Sequence, residues 1–438
     1  MRSGLLGVAI GLALADSSIV TLALPEILRQ FDVSIQTVTW ALTSYNLVFA
    51  LLALPAAYVA RRRPRPVFTA GVVVFALASL ACGLAPSYEA LVGARCVQAV
   101  GGVLVVTAAL DLLSETTGSE SRAAKTWVTA GVVGAALGPA IGGVLTSVLG
   151  WESIFLFQVP VAVLTLVAVR GLVAKPIHAP AGRPHLSANA ALFFLSGGLV
   201  AALFLVVLLL VDGWGMTPAL AGLVVTVMPL AAIATARYTP HDVGVGARMA
   251  SGVILVGGGL AALALLPRAG WAWTVPPQLL IGVGIGLALV ALTERAVAGR
   301  ADQVVHGGWT LAARHAGVVV GLLLLAPVLT SALDRNEDRA IQAGTAAVLD
   351  SAIAPLDKLR IARDVLRVVD AAQAQERPDM AAAFEDRPDE PVYRALLAEL
   401  EEQLDRAITS AFTGPFLLAA ALALLALVPI GIGRGAPL

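Results

Sequence analysis

A few polar side chains stand inside long apolar runs, and their types narrow the available chemistry. Asp16 sits in LALADSSIV, Arg95 and Gln98 in GARCVQAVGG, Tyr45 and Asn46 in WALTSYNL, and Arg314 beside His315 in WTLAARHAGVVVG. A carboxylate in an apolar medium holds or loses its proton according to whether a cation is close, so an Asp16–Arg95 pair meets the physical requirement for coupling a proton to a conformational change. The alternative is a static buried ion pair that ties two helices together. Gln98, one helical turn from Arg95, is placed to order it or to meet a substrate. Tyr45 and Asn46 suit a substrate-cavity wall with polar tips; nearby Trp40 serves equally well as an interfacial anchor. Histidine as a residue type titrates near neutrality, so His315 is a second proton-carrier candidate, its alternative being a neutral imidazole hydrogen-bonded within the bundle. Arg314 stays charged and must find an anion, a carbonyl or water, so an anionic substrate group would satisfy it. Neighbours on a helix point about 100° apart, so the spacing allows at most one of Arg314 and His315 to face a cavity directly.

The elements that must position these groups are membrane helices. The chain has 438 residues, 58% hydrophobic and 13% charged, with a mean hydropathy of +0.86. That balance lies far from a soluble globular domain and implies a polytopic membrane protein. Twelve windows are long enough to cross a bilayer: roughly 4–27, 37–60, 67–85, 89–113, 124–148, 153–172, 190–211, 217–236, 247–266, 274–293, 304–330 and 411–433. Asp16 then lies about 17 Å into the first, near mid-bilayer, and Arg95 in the fourth overlaps that depth within the reach of its side chain. Short loops on one side carry fifteen Lys and Arg residues, and those on the other carry only Arg29 and Arg268. This asymmetry predicts an inner (cytoplasmic) membrane protein with both termini in the cytoplasm. The polar stretch 174–189 reads as a cytoplasmic linker between an N-terminal bundle, 1–173, and a C-terminal bundle, 190–330 with 411–438. Such a six-plus-six plan fits transporters whose substrate site lies between two halves near the midplane.

Formal charge sums to zero, and this neutrality argues against a nucleic-acid partner. The sum hides an asymmetry: residues 331–410 hold 17 acidic and 10 basic side chains, a net of −7. This segment reads as an extracytoplasmic helical cap with two amphipathic helices, PLDKLRIARDVLRVVDAA and PVYRALLAELEEQLDRAI, each opened by a proline. Cys82 and Cys96 lie in apolar runs without metal-ligand spacing and read as small packing residues. Asp111, Glu152 and Glu294 fall near span ends, where solvation or snorkelling accounts for them. The start of the chain runs too long for a signal peptide, contains Asp16 and precedes further spans, so it reads as the first span. No metal-ligand cluster, phosphate loop or nucleophile with a base is apparent, so neither an enzyme nor a cofactor is expected.

GVVGAALGPAIGG, residues 131–143, carries five glycines and a proline in an apolar run. Gly134, Gly138 and Gly142 share one helix face for close packing, and Pro139 kinks the helix beside it. The string resembles the fifth-span motif G-x-x-x-G-P-x-x-G-G of major facilitator superfamily antiporters, matched at Gly134, Gly138, Pro139, Gly142 and Gly143. LADSSIVTLALPEI resembles the first-span signature of the drug:proton antiporters with its aspartate at Asp16, and WALTSYNL resembles the start of their second span. GARCVQAVGG is similar to R-x-x-Q-G-x-G, with Ala99 at the first glycine. PPQLLIGVGIGLALVALT and LAARHAGVVVGLLLL resemble the last third of the fourteen-span branch, here without its two extra spans and with His315 where glutamine is usual.

The resemblance implies an all-α membrane protein of twelve helices in two six-helix bundles. It further implies a proton-coupled exporter of small amphipathic or drug-like compounds. Asp16, Arg95 and His315 would handle protons, and Tyr45, Asn46, Gln98 and Arg314 would face substrate. The motif between spans 2 and 3, G-x-L-x-D-R-x-G-R-R, departs here: AAYVARRRPRP has Ala57, Arg61 and Pro64 where the family has glycine, aspartate and glycine. That aspartate latches the cytoplasmic side against positive groups, which Arg61 cannot do. Two other readings stand beside the exporter: a transporter of lipid or envelope precursors, and a non-transporting sensor or scaffold that binds an extracytoplasmic protein through 331–410. Expected partners are thus a small-molecule or lipid-like substrate, protons and membrane lipid.

Overall fold

A computed structural model describes residues 1–172, 182–239, 243–267, 269–297, 299–300, 302–371, 378–385, 387 and 390–433. Lys175, Arg268, Arg434 and much of the 174–189 linker lie outside the described residues. A chain in lipid must satisfy its backbone within each segment, and the described residues form helices without a strand. Twelve are long and apolar enough to cross a membrane, making this a multi-pass membrane protein. In order, spans 1 to 6 are Arg2–Thr21, Ile35–Ala60, Pro64–Gly83, Tyr88–Thr117, Glu120–Leu149 and Glu152–Val169. Spans 7 to 10 are Leu186–Gly213, Pro218–Tyr238, Val245–Ala264 and Trp271–Val297. Span 11 is the apolar start of one helix, Gln303–Asp350, and span 12 comprises Thr413–Leu424 and Leu427–Gly433.

Local chemistry sets several of the starts. The hydroxyls of Ser87, Ser119 and Thr217 accept the backbone N–H three residues on and cap spans 4, 5 and 8. The Asp302 carboxylate caps span 11 through the Val305 N–H at 3.2 Å. His185 caps span 7 through the Ala188 N–H, which starts that helix at Leu186 rather than near 190.

Glycine pairs then let helices cross backbone to backbone, in a pattern that recurs between the two halves. Spans 3 and 4 meet at Gly71 and Gly101, where a Cβ on Gly101 would lie 2.8 Å from the Gly71 carbonyl oxygen. Spans 9 and 10 meet the same way at Gly252 and Gly284. Spans 1 and 5 cross at Gly11 and Gly134, and spans 7 and 11 at Gly197 and Gly321. Each crossing in spans 1–6 has its counterpart six spans later, as expected of parallel repeats about an axis along the membrane normal. The two sets of helices meet chiefly where span 2 packs on span 11 and span 5 on span 8.

Residues 331–410 depart from the expectation that the excursion begins where the apolar run ends. The helix of span 11 continues without a break to Asp350. TSALDRNEDRAIQA turns polar but holds no glycine or proline, so composition marks the end of the apolar run and not of the helix. Two amphipathic helices follow at Pro355–Ala371 and Pro391–Ala411, as the periodicity predicts. Val348, Ile361, Phe384, Leu396 and Leu400 belong to a small core separate from that of the bundle.

Candidate functional site

Asp16 of span 1 is fully buried, and so are Tyr45, Ser79, Arg95, Gln98 and Gln158 around it. Arg95 Nη1 donates to Asp16 Oδ2 in a buried ion pair and also to Gln98 Oε1 at 2.6 Å, while its Nε donates to the Ala41 carbonyl at 2.9 Å. Its guanidinium lies over the Tyr45 ring, 4.4 Å from the centroid, with Phe155 at 5.6 Å. The other carboxylate oxygen, Oδ1, accepts from Gln158 Nε2 at 3.0 Å and lies 3.3 Å from Gln98 Nε2. Gln98 Nε2 also reaches Ser79 Oγ at 2.8 Å and Gln158 Oε1 at 2.9 Å. Two amide hydrogens cannot serve three acceptors together, so this network has more than one arrangement available.

Protonation of Asp16 would convert an acceptor-only group into one that donates, leaving the Arg95 charge without its anion in a low dielectric. Arg95 Nη2 already has no hydrogen-bond partner among the described residues. A proton placed there would change the interactions among spans 1, 3, 4 and 6 together.

Sequence reasoning brought Asp16, Arg95 and Gln98 here but missed Gln158 and Ser79. Gln158 is a lone amide in ESIFLFQVPVAV, and extending the scrutiny of ionisable groups to neutral amides would have found it. Tyr45 and Gln98, expected in a substrate cavity, are fully enclosed by the cluster instead. Tyr45 donates its hydroxyl to the Ala13 carbonyl at 2.9 Å and presents its ring to Arg95.

His315 stands in a second group. Its Nδ1 is 2.7 Å from Asn46 Oδ1, and its ring stacks on Phe49 at 4.1 Å between centroids. Asn46 donates to the Leu42 carbonyl and to Ser17 Oγ, so its oxygen is the end that faces His315, and Nδ1 carries the proton. Ser17, Asn46 and His315 thus form a polar chain from the residue beside Asp16 to span 11 in the other half.

The glycine motif serves two partners. Gly134, Gly138 and Gly142 face span 1, against Gly11, Ser18 and the carbonyl of Ile19. Gly143 meets the Pro218 carbonyl of span 8, and the Pro139 carbonyl would lie 2.6 Å from a Cβ on Gly222. Three glycines therefore tighten the first half internally, and only the Pro139–Gly143 side adjoins the second.

Each end of the bundle has an ion pair between halves. Arg61, at the end of span 2, lies 2.9 Å from Asp302, which caps span 11. The position where the family motif has an acid thus holds a base, and the base has an acidic partner across the interface. Arg29 pairs with Asp212 at 3.1 Å at the opposite end, where Ser147 Oγ also accepts the Ala219 N–H. Residues 6–326 match the sequence profile described as the Major Facilitator Superfamily.

The chain belongs to the Major Facilitator Superfamily.

Superfamily membership makes it a relative of membrane transporters rather than of enzymes. Among curated relatives, Multidrug resistance protein Stp of Mycobacterium tuberculosis is 34% identical over 203 residues, covering 45% of this chain and 37% of Stp. Drug efflux pump JefA of the same organism is 35% identical, over 37% of this chain and 34% of JefA. Tetracenomycin C resistance and export protein of Streptomyces glaucescens reaches 39%, over 37% and 31%. These matches span well under half the length of each relative. The crystal structure of a bacterial homologue of the human lysosomal transporter Spinster, inward-facing and occupied, aligns over 100% of this chain and 98% of its own, with a TM-score of 0.64 and 15% identity. That likeness establishes the shared superfamily fold.

Proposed function

We propose that this protein is a secondary transporter that exports small amphipathic or drug-like compounds in exchange for protons by alternating access. The observation that carries the reading is the fully buried Asp16–Arg95 pair, joined by Gln98 and Gln158 and linked through Ser17, Asn46 and His315 to the opposite half. Ionisable groups at membrane depth are costly, and a pathway or relay is their usual reason for being there. The names of the drug-efflux relatives support the cargo class and direction. Asp16 takes the proton, Arg95 responds to its charge, and His315 couples the change to span 11.

The charge asymmetry of the loops supports a cytoplasmic-membrane setting with both termini inside and residues 331–410 outside. In that orientation Arg61–Asp302 closes the cytoplasmic end and Arg29–Asp212 the outer end. The two pairs are the contacts that opening must break in turn.

Asp16→Asn in proteoliposomes tests the reading. Substrate accumulation driven by an imposed pH gradient is expected to fall to the level of empty vesicles, whereas downhill substrate exchange continues. Undiminished gradient-driven accumulation would remove Asp16 from the coupling role.

A further inference from the structure

Arg314 and His315 are neighbours on span 11, but only one of them has a partner. His315 is bonded to Asn46 and stacked on Phe49. Arg314 forms no ion pair or hydrogen bond among the described residues, and it is partly exposed. It lies eleven residues beyond Gln303, about 17 Å along the helix and thus near mid-bilayer.

Helix geometry gives its direction. Gly307, two turns earlier and about 20° away in projection, faces span 4, where a Cβ would meet Leu110 at 3.3 Å. Gly321, two turns later and about 20° the other way, packs on Gly197 of span 7, whereas Leu323, about half a turn round, is 47% exposed. Arg314 therefore turns away from lipid, toward the space between the halves.

Among the described residues no carboxylate pairs with it: Asp111 of span 4, buried and with Oδ2 unpartnered, adjoins Leu110 and so stands opposite Gly307, two turns nearer the end of the helix than Arg314. Asp16 has Arg95 on one oxygen and the Gln158 and Gln98 amides on the other. Asp302 faces Arg61 at the end of the helix. A guanidinium does not shed its proton, so the arrangement leaves one positive charge at membrane depth without an ion-pair partner among the described residues.

We propose that Arg314 anchors the anionic head group of an amphipathic cargo, a carboxylate, sulfonate or phosphate held in the two-pronged geometry its planar fork allows. This inference rests on the exporter reading and narrows its substrate class to organic anions. Two sources share the chemistry: a soluble organic anion, and an anionic lipid presented by the bilayer.

The test uses the full chain in proteoliposomes under an imposed proton gradient, with three fluorescent probes. These are carboxyfluorescein as a soluble anion, a head-group-labelled phosphatidylglycerol as an anionic lipid, and rhodamine 6G as a cation. The expected result is movement of one of the two anions faster than the cation, with the anion-to-cation ratio falling at least tenfold in Arg314→Gln. Arg314→Lys, which keeps the charge but not the fork, is expected to lose about threefold. Which anion moves identifies the source.

Movement of rhodamine 6G without either anion would overturn the inference and leave the exporter reading standing. So would an Arg314→Gln ratio within twofold of the native one. Failure of all three probes to respond to the gradient counts against the exporter reading itself. If Arg314→Gln does not elute as a folded monodisperse species, Arg314→Lys alone decides, an unchanged ratio being the negative result.

Discussion

Asp16 is the acceptor on which three side chains from two other spans converge, and each donor has a different consequence. Arg95 supplies charge, whereas Gln98 and Gln158 supply direction. Replacing Gln158 with leucine removes the 3.0 Å bond to Asp16 Oδ1 and leaves the Gln98 amide to serve that oxygen. A hydrogen bond to a charged group contributes about 1.5–3 kcal/mol, so Gln158→Leu should lower the thermal unfolding midpoint in detergent by several degrees. An unchanged midpoint would mean that Gln98 takes over the contact fully. Much of this cluster was legible in the sequence, because an Asp or Arg amid apolar residues stands out at once. Gln158 escaped notice because a neutral amide carries a smaller solvation penalty and so a weaker signal. His315 was legible as a titratable group, but its bond to Asn46 arises only when span 11 is laid against span 2.

At the scale of elements, the fifth span has two sides with separable duties. A Cβ on Gly134 would collide with the Gly11 main chain inside the first half, and one on Gly143 with the Pro218 carbonyl of the second. Overpacking of this kind costs about 1–3 kcal/mol. Gly134→Ala is therefore expected to reduce thermal stability. Gly143→Ala should leave stability nearly native while widening the spin-label distances between spans 5 and 8. Equal effects of the two on stability would refute the division.

The Arg61–Asp302 pair follows the same logic. Among the described residues, Arg61→Ala leaves a fully buried carboxylate held only by its capping bond, a loss of about 3 kcal/mol, which corresponds to roughly a hundredfold shift toward opening at that end. Distance distributions between labels on the ends of spans 2 and 11 read this directly. The motif departure at Arg61 was visible in the sequence, but its compensation was not. Nothing local to Asp302 says that it meets residue 61.

At the scale of the molecule, the twelve-helix plan was legible because lipid forces apolar windows of fixed length, and glycine spacing announces close crossings. The extent of span 11 was not, since hydropathy reports the solvent and not the helix. The cap has its own core, so replacing residues 351–390 by a flexible glycine-serine linker is expected to preserve both the bundle's unfolding midpoint and gradient-driven transport to within about twofold. Loss of transport with an intact bundle would make the cap part of the pathway. The unbroken helix Gln303–Asp350 also acts as a lever. Asp350 stands 36 residues beyond Arg314, about 54 Å along the axis, so a rocking of span 11 by 10° about its midpoint swings the tip by roughly 9 Å. Small motions at the level of Arg314 are thereby magnified into a displacement that an antibody or a fluorophore on the cap would register, making the protruding segment a pointer on a dial.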